Sequence, residues 1–327
     1  MPDIRLVTIT LNPAVDRVLE AEQFAVGAHV RARRIGWYPA GKGINVARVL
    51  SVLGSRCIAT GLVGKGELAM FEEYLERVGQ GRVVTQLLVV RGRTRDNVTI
   101  TDPVFDTETH IRDEGFEVLP EDVRRIASKV GMLAREDTIM AFSGSLPRGL
   151  SLGDFRSMIH RCNDQGASAV VDTSDRVLEA LRGERLWMAK LNAAELATLS
   201  GMAADTEEQA IAAARAVGTV GGGMIEHVIA TRGAAGAILI SPRAELVARV
   251  FVHPGLVANT VGCGDALLAG VLHQWCRSSD WTRAMREGVA VATAVAVSRK
   301  PGTFEMSDVA EYREAATVEP IPGVQAR

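Results

Sequence analysis

The stretch TIMAFSGSLPRGLSLGDFRSMIHRCNDQGASAVVD, residues 138–172, reads as strand, turn, helix and strand. Its first run, 138–142, is short and continuously apolar, as a strand buried on both faces is. A turn containing Gly144, Ser145 and Pro147 follows, then an amphipathic helix over 152–165, and a second apolar run at 169–172 closes the unit. The same alternation extends in both directions. Further strands are expected at 4–10, 57–62, 188–191 and 227–230, and helices at 44–53, 69–78, 121–133, 193–200 and 207–217. Alternation of this kind demands a doubly wound, mostly parallel α/β sheet with helices on both faces. Residues 237–240 and 245–252, split by Ser241-Pro242-Arg243, read instead as a hairpin, and the last third is helical over 266–277, 281–298 and 307–316. Pro320 and Pro322 suggest an extended tail.

Two segments, 13–40 and 89–114, carry β-like runs with no helix between them. His29–Arg33 and Asn97–Thr101 alternate polar and apolar with period two, as half-exposed strands do. These segments are expected to form a small β-sheet projecting from an α/β domain made of 1–12, 41–88 and 115–327. The basic cluster Arg31, Arg33 and Arg34 fits a solvated face of that sheet. A length of 327 residues then accounts for one large domain and its small sheet.

Composition narrows the function classes. Lys plus Arg number 37 and Asp plus Glu 39, a net charge of −2, which offers no electrostatic footprint for nucleic acid or an anionic membrane. The opening residues show no signal-peptide pattern, and the apolar run 288–297 is half a membrane span. Cys57, Cys162, Cys263 and Cys276 are far apart with no metal-ligand spacing, so free thiols in a cytoplasmic protein are expected. Glycine is the outlier, with 32 of 327 residues against an ordinary share of about 7%.

Three glycine clusters divide by chemistry. Gly36-Trp37-Tyr38-Pro39-Ala40-Gly41-Lys42-Gly43 approaches a Walker A loop, but Gly43 stands where a Mg²⁺-binding hydroxyl is required. What remains is a tight loop opening a helix, either a plain helix entry or a place where backbone N–H groups meet a ligand. Gly218–Gly223 follows a helix and precedes a strand, the reverse of a dinucleotide loop, and reads as a connector. In Thr260-Val261-Gly262-Cys263-Gly264-Asp265 two glycines let successive N–H groups face one concavity at a helix start. Asp265 there is either a helix cap or a base beside an anion hole.

Taken in order, Thr10-Leu11-Asn12-Pro13-Ala14-Val15-Asp16, Ala40–Ala47 (AGKGINVA), Ser143-Gly144-Ser145-Leu146-Pro147 and Thr260–Asp265 resemble the PfkB (ribokinase-like) carbohydrate kinases over about residues 5–300. The first two motifs are similar to its phosphosugar branch, the 1-phosphofructokinases and tagatose-6-phosphate kinases. The resemblance implies a ribokinase-like fold whose small β-sheet is a lid, commonly paired with a second copy in a homodimer. It implies Asp265 as general base and Gly262, Cys263 and Gly264 as the anion hole. Asp16, Gly41, Lys42, Asn45 and Ser143 then match sugar-binding positions, and Arg95 and Asn97 contact the substrate phosphate. Lys190, Asn192 and Glu195 match positions near Mg²⁺-ATP, with Glu195 toward the metal, directly or through water. Thr231, Gly233 and Gly236 match the nucleotide turn. The implied reaction is ATP-dependent phosphorylation of fructose 1-phosphate to fructose 1,6-bisphosphate, with tagatose 6-phosphate as the nearest rival substrate. A neutral sugar would leave Lys42 and Arg95 without partners, and a non-catalytic sugar-phosphate sensor would have no use for Asp265. Leu191, Cys263 and Thr231-Arg232 depart from the family pattern in turns where the backbone does the work. His110 and Arg112 depart on the lid edge, where close relatives carry Asp and Asn. A thiol at a helix N-terminus, Cys263 is either activated or buried and inert.

Overall fold

The computed structural model describes residues 4–173, 175–300 and 302–322. Residues 1–3, 174, 301 and 323–327, which fall within the expected α/β segments, lie outside the described residues. In chain order the strands are β1 (Arg5–Thr10), β2 (Ala14–Glu20), β3 (Arg33–Ala40), β4 (Cys57–Gly64), β5 (Val83–Val90), β6 (Arg95–Asp102), β7 (Thr107–Arg112), β8 (Thr138–Ser143), β9 (Ser168–Asp172), β10 (Leu186–Asn192), β11 (Ile225–Thr231), β12 (Ala237–Ile240), β13 (Glu245–Arg249) and β14 (Thr317–Pro320). The helices are α1 (Lys42–Val52), α2 (Leu68–Gly79), α3 (Pro120–Leu133), α4 (Leu152–Asp164), α5 (Ala193–Ser200), α6 (Glu207–Val217), α7 (Cys263–Ser278), α8 (Trp281–Val297) and α9 (Met306–Ala315).

Ten strands form one sheet in the order β14-β13-β12-β11-β10-β9-β8-β1-β4-β5. From β11 to β5 every pairing is parallel, and β12, β13 and β14 add antiparallel strands at one edge. Period-two alternation divides the side chains between two cores. Val7, Ile9, Met140, Phe142, Ala169 and Val171 pack with α3 to α6, whereas Leu6, Ile139, Ala141 and Val170 pack with α1, α2 and α7 to α9. Helix starts are locally encoded: Ser151 and Asp154 form a reciprocal capping box at α4. Such a cap typically stabilises by about 1 kcal/mol.

β1 lies between β4 and β8, the two directions in which the chain is wound. Loops leaving the carboxyl ends of strands at such a switch point diverge and open a crevice. A second, four-stranded sheet, β3-β2-β6-β7, is inserted directly after β1 and after β5.

Two sequence expectations need correction. The small-sheet strand expected at His29–Arg33 lies instead at Arg33–Ala40, after β2, where Gly36 and Pro39 had obscured it. Proline is tolerated there because β3 is an edge strand. Val83–Val90 is an edge strand of the large sheet, so Val89 and Val90, expected in the small sheet, belong to the large one. The extended tail is anchored: Thr317–Pro320 pairs with β13, and the Ile321 N–H donates to the Glu245 carbonyl.

Candidate active site

Parallel strands deliver their carboxyl ends to one edge, and the polar residues of the four motifs gather there. Ser143 ends β8, Asp172 ends β9, Asn192 ends β10, Thr231 ends β11, and Asn12 lies just beyond β1. Two helices begin at the same edge. Gly41 caps α1 and Gly262 caps α7, the latter at φ 81, a left-handed conformation that glycine enters without the Cβ penalty. Asn45 on the first turn of α1 donates from Nδ2 to Asp265 Oδ2 on α7 at 2.8 Å. Among the described residues, the N–H groups of Gly264 and Asp265 have no hydrogen-bond partner. They are orphan donors of a helix N-terminus, poised for an anion.

Asp265 is 6% exposed and does not cap its helix through its side chain. Burial and the neighbouring charge of Asp172 push its carboxyl up to about 6, against the pull of Asn45, Lys42 and Lys190. Asp172 is fully buried and accepts from Lys42 Nζ at 2.9 Å and from Lys190 Nζ at 3.1 Å. Burial alone would raise it, but the two ammonium groups outweigh burial and hold its carboxyl below the usual range. The same contact raises Lys42, overcoming the opposite effect of burial. Lys190 lies beside the helix entrance, since a Cβ at Gly264 would come 3.2 Å from its Nζ. Asp172 was missed from sequence, where a lone Asp closing a strand has no local pattern to mark it.

On the small sheet, Asn97 Nδ2 donates to Asp16 Oδ1 at 2.9 Å. Burial raises the Asp16 carboxyl despite this bond and despite Arg95 and Arg112. Arg95 donates to the backbone carbonyls of Pro13 and Asn12, and burial together with Arg112 lowers it. Asn12 in turn reaches Ser145 Oγ at 3.2 Å and the Leu146 carbonyl at 3.4 Å, tying the first motif to the third. The Ser143 hydroxyl is buried without a partner among the described residues.

Beside α7 an apolar cavity of about 420 Å³ opens, lined by Thr231, Gly233, Gly236, Val252, Leu267 and Val289 among others. Its size and lining suit a planar heterocycle. Cys263 and Gly264 lie on its wall, so the cavity adjoins the α7 N-terminus.

Residues 4–307 match the family model described as pfkB family carbohydrate kinase. The chain belongs to this kinase family. It is 33% identical over 297 residues to a 1-phosphofructokinase of Escherichia coli strain K12, covering 90% of this chain and 91% of that one. A 1-phosphofructokinase of Haemophilus influenzae is 30% identical over 318 residues, covering 97% and 99%. In fold it is similar to a crystal structure of phosphofructokinase-2 from Escherichia coli in complex with potassium, with a TM-score of 0.85 at 22% identity, covering 95% and 98%.

For a carbohydrate kinase the donor is ATP, and the site can be tested for the metal that accompanies it. Asn192 and Glu195 form a capping box, Glu195 Oε2 accepting the Asn192 N–H at 2.8 Å and Asn192 Oδ1 accepting the Glu195 N–H at 2.9 Å. Burial raises the Glu195 carboxyl, while Lys42 and Lys190 pull it down, which places it near the lysine cluster. Its second oxygen has no hydrogen-bond partner among the described residues. No group of three or more His, Cys, Asp or Glu side chains suited to a metal occurs among the described residues. That donor set fits Mg²⁺ only as an ion held mainly by phosphate oxygens and water, its common mode in kinases. The Cys263 thiol is not activated by its helix: burial and Asp265 push it up to about 11. Among the described residues no helix is long and apolar enough to cross a membrane, and all four cysteines are free.

Proposed function

We propose that this kinase transfers the γ-phosphoryl group of ATP to the C6 hydroxyl of fructose 1-phosphate, giving fructose 1,6-bisphosphate and ADP. The observation that carries the reading is the buried Asp265 carboxylate, oriented by Asn45 beside unpartnered N–H groups at the start of α7. Relatives named 1-phosphofructokinase support the choice of sugar.

The acceptor oxygen attacks Pγ as its proton passes to Asp265. The O–Pγ bond forms, the Pγ–O bond to the β-phosphate breaks, and ADP leaves. With its carboxyl raised to about 6, Asp265 is mostly ionised at pH 7 yet more basic than an ordinary aspartate. Gly262, Cys263 and Gly264 act through their backbone, and oriented N–H donors there need not reorganise as charge develops on the phosphoryl oxygens. Lys190 and Lys42, held by Asp172, place positive charge beside the same point. Mg²⁺, when bound with ATP, neutralises phosphate charge; Glu195 and Asn192 stand where they would meet its water shell. Thr231, Gly233 and Gly236 border the cavity that takes the nucleoside. Asp16, Asn97, Gly41 and Ser143 surround the sugar, and Arg95 holds its phosphate. The small sheet serves as the lid that keeps water, a competing acceptor, away from Pγ. Its outer apolar residues Ile35, Trp37 and Ile111, each about half exposed, are the surface we assign to a second copy in a homodimer.

The test is ADP release with Mg²⁺-ATP and, separately, fructose 1-phosphate, fructose 6-phosphate, tagatose 6-phosphate, fructose and ribose. The highest kcat/KM is expected for fructose 1-phosphate. Preference for a neutral sugar would refute the phosphate-binding role of Arg95, and no turnover with any of them would refute the kinase mechanism.

A further inference from the structure

Arg112, the last residue of β7, has no role in the reaction as drawn so far. Strand register places Tyr38, Asp16, Asn97 and Arg112 side by side across β3, β2, β6 and β7. Directly opposed residues share a face of the sheet, and Arg95, two residues before Asn97 on β6, shares it too. The Asn97–Asp16 hydrogen bond marks this as the face that carries the sugar-binding residues. Arg112 is therefore on the substrate side of the small sheet, although it is exposed at the edge.

What distinguishes Arg112 is the second guanidinium on the same face. Elsewhere in this sheet Arg17 pairs with Asp96 at 3.0 Å and Arg33 with Glu20 at 2.7 Å. Among the described residues Arg112 has neither an ion pair nor a side-chain hydrogen bond, and Arg95 has only backbone carbonyls as partners. The two guanidinium groups are close enough that Arg112 disfavours the charged form of Arg95. Two carboxylates, Asp16 and Asp113, act on Arg95, and Asp16 is already bonded to Asn97. Arg112 repels Arg95 from the same face, a repulsion that a bound dianion would reverse.

We propose that Arg112 joins Arg95 in a two-guanidinium grip on the phosphate the sugar already carries, so that Arg112 sets the preference for a phosphorylated over a neutral substrate. This rests on the sugar-phosphate reading above. Arg95 approaches from the base of the sheet beside Asn12 and Pro13, and Arg112 from its free edge. Planar forks on two strands fix the orientation of the phosphate as well as its charge.

The test compares wild type, Arg112→Ala and Arg112→Lys in steady-state kinetics, with calorimetric titration of fructose 1-phosphate as a binding readout independent of turnover. Arg112→Ala is expected to raise KM and Kd for fructose 1-phosphate about 10- to 100-fold, the range for losing a charge-assisted contact. The change in kcat should stay within about threefold, and KM for ATP should hold, which also shows that the variant is folded. Arg112→Lys should recover part of the affinity. KM for fructose, where measurable, should not move. A KM for fructose 1-phosphate within twofold of wild type in Arg112→Ala would overturn the grip while leaving the sugar-phosphate reading intact. Equal weakening toward fructose and fructose 1-phosphate would overturn it too, as a mere packing effect. Failure of the wild type to bind or turn over any sugar phosphate would overturn both.

Discussion

Replacing Asp172 by Asn removes one negative charge from the centre of the site while keeping nearly the same shape. Asp172 is fully buried, and its Oδ1 lies 2.9 Å from Lys42 Nζ and 3.1 Å from Lys190 Nζ, the latter side chain only 6% exposed. At an effective dielectric of about 20, each pair has a Coulomb attraction of about 5 kcal/mol before the opposing desolvation. Breaking such a buried arrangement by removing one partner generally costs about 3–5 kcal/mol. Lys190 loses its counter-charge almost completely, whereas Lys42, one-third exposed, recovers hydration. A loss of about 3 kcal/mol in urea unfolding is therefore expected. The second consequence is electrostatic. Asp172 is one of the two influences that raise Asp265, and Lys42 and Lys190 would remain to pull it down. The acid limb of kcat/KM, expected near pH 6 in the wild type, should shift to lower pH in Asp172→Asn, even though the maximal rate falls. Full pH profiles of kcat/KM beside urea melts make the assay. An unmoved acid limb together with an unmoved midpoint would refute the linkage between the two aspartates.

Other perturbations test separate parts of the architecture. Gly43→Ala would place a Cβ 2.4 Å from Thr10 Oγ1 and 3.1 Å from the Ile9 carbonyl, so α1 must shift against β1; a loss of about 1–3 kcal/mol is expected in thermal or urea unfolding, and unchanged stability would show that this contact is not tight. His227 sits among Trp187, Trp275 and Trp281, and burial with Arg243 lowers it to about 4. The unfolded chain takes up this proton below about pH 6.5 while the folded one resists until about 4. His227 thus removes up to about 3 kcal/mol of stability as pH falls through that window. His227→Phe should flatten stability between pH 6.5 and 4 relative to wild type, and parallel curves would contradict the assignment.

How far the sequence could be read depended on whether its signals were local. Helix caps, apolar runs and glycine turns act within a few residues, so the βαβ alternation, the two helix entrances and Asp265 were legible. Asp172 was not, because its meaning lies in Lys42, 130 residues away in sequence, and in Lys190 on the neighbouring strand. The pairing of Asn192 with Glu195 was visible as a motif, but cap and metal contact use the same two side chains, and the hydrogen bonds show the cap. β3 was misplaced because Gly36 and Pro39 lower strand propensity locally, while edge position and pairing with β2 supply what propensity lacks. Cys263 shows the limit of arguing from a helix terminus alone: burial beside Asp265 outweighs the helix and leaves the thiol protonated.

In the mechanism we propose, Asp265 takes the proton of the acceptor hydroxyl. Asp265→Asn keeps the shape and the neighbourhood of Asn45 but cannot accept that proton. Single-turnover phosphoryl transfer from ATP to fructose 1-phosphate should slow by about 10²–10⁴, with ATP binding retained. A rate within a few-fold of wild type would contradict it.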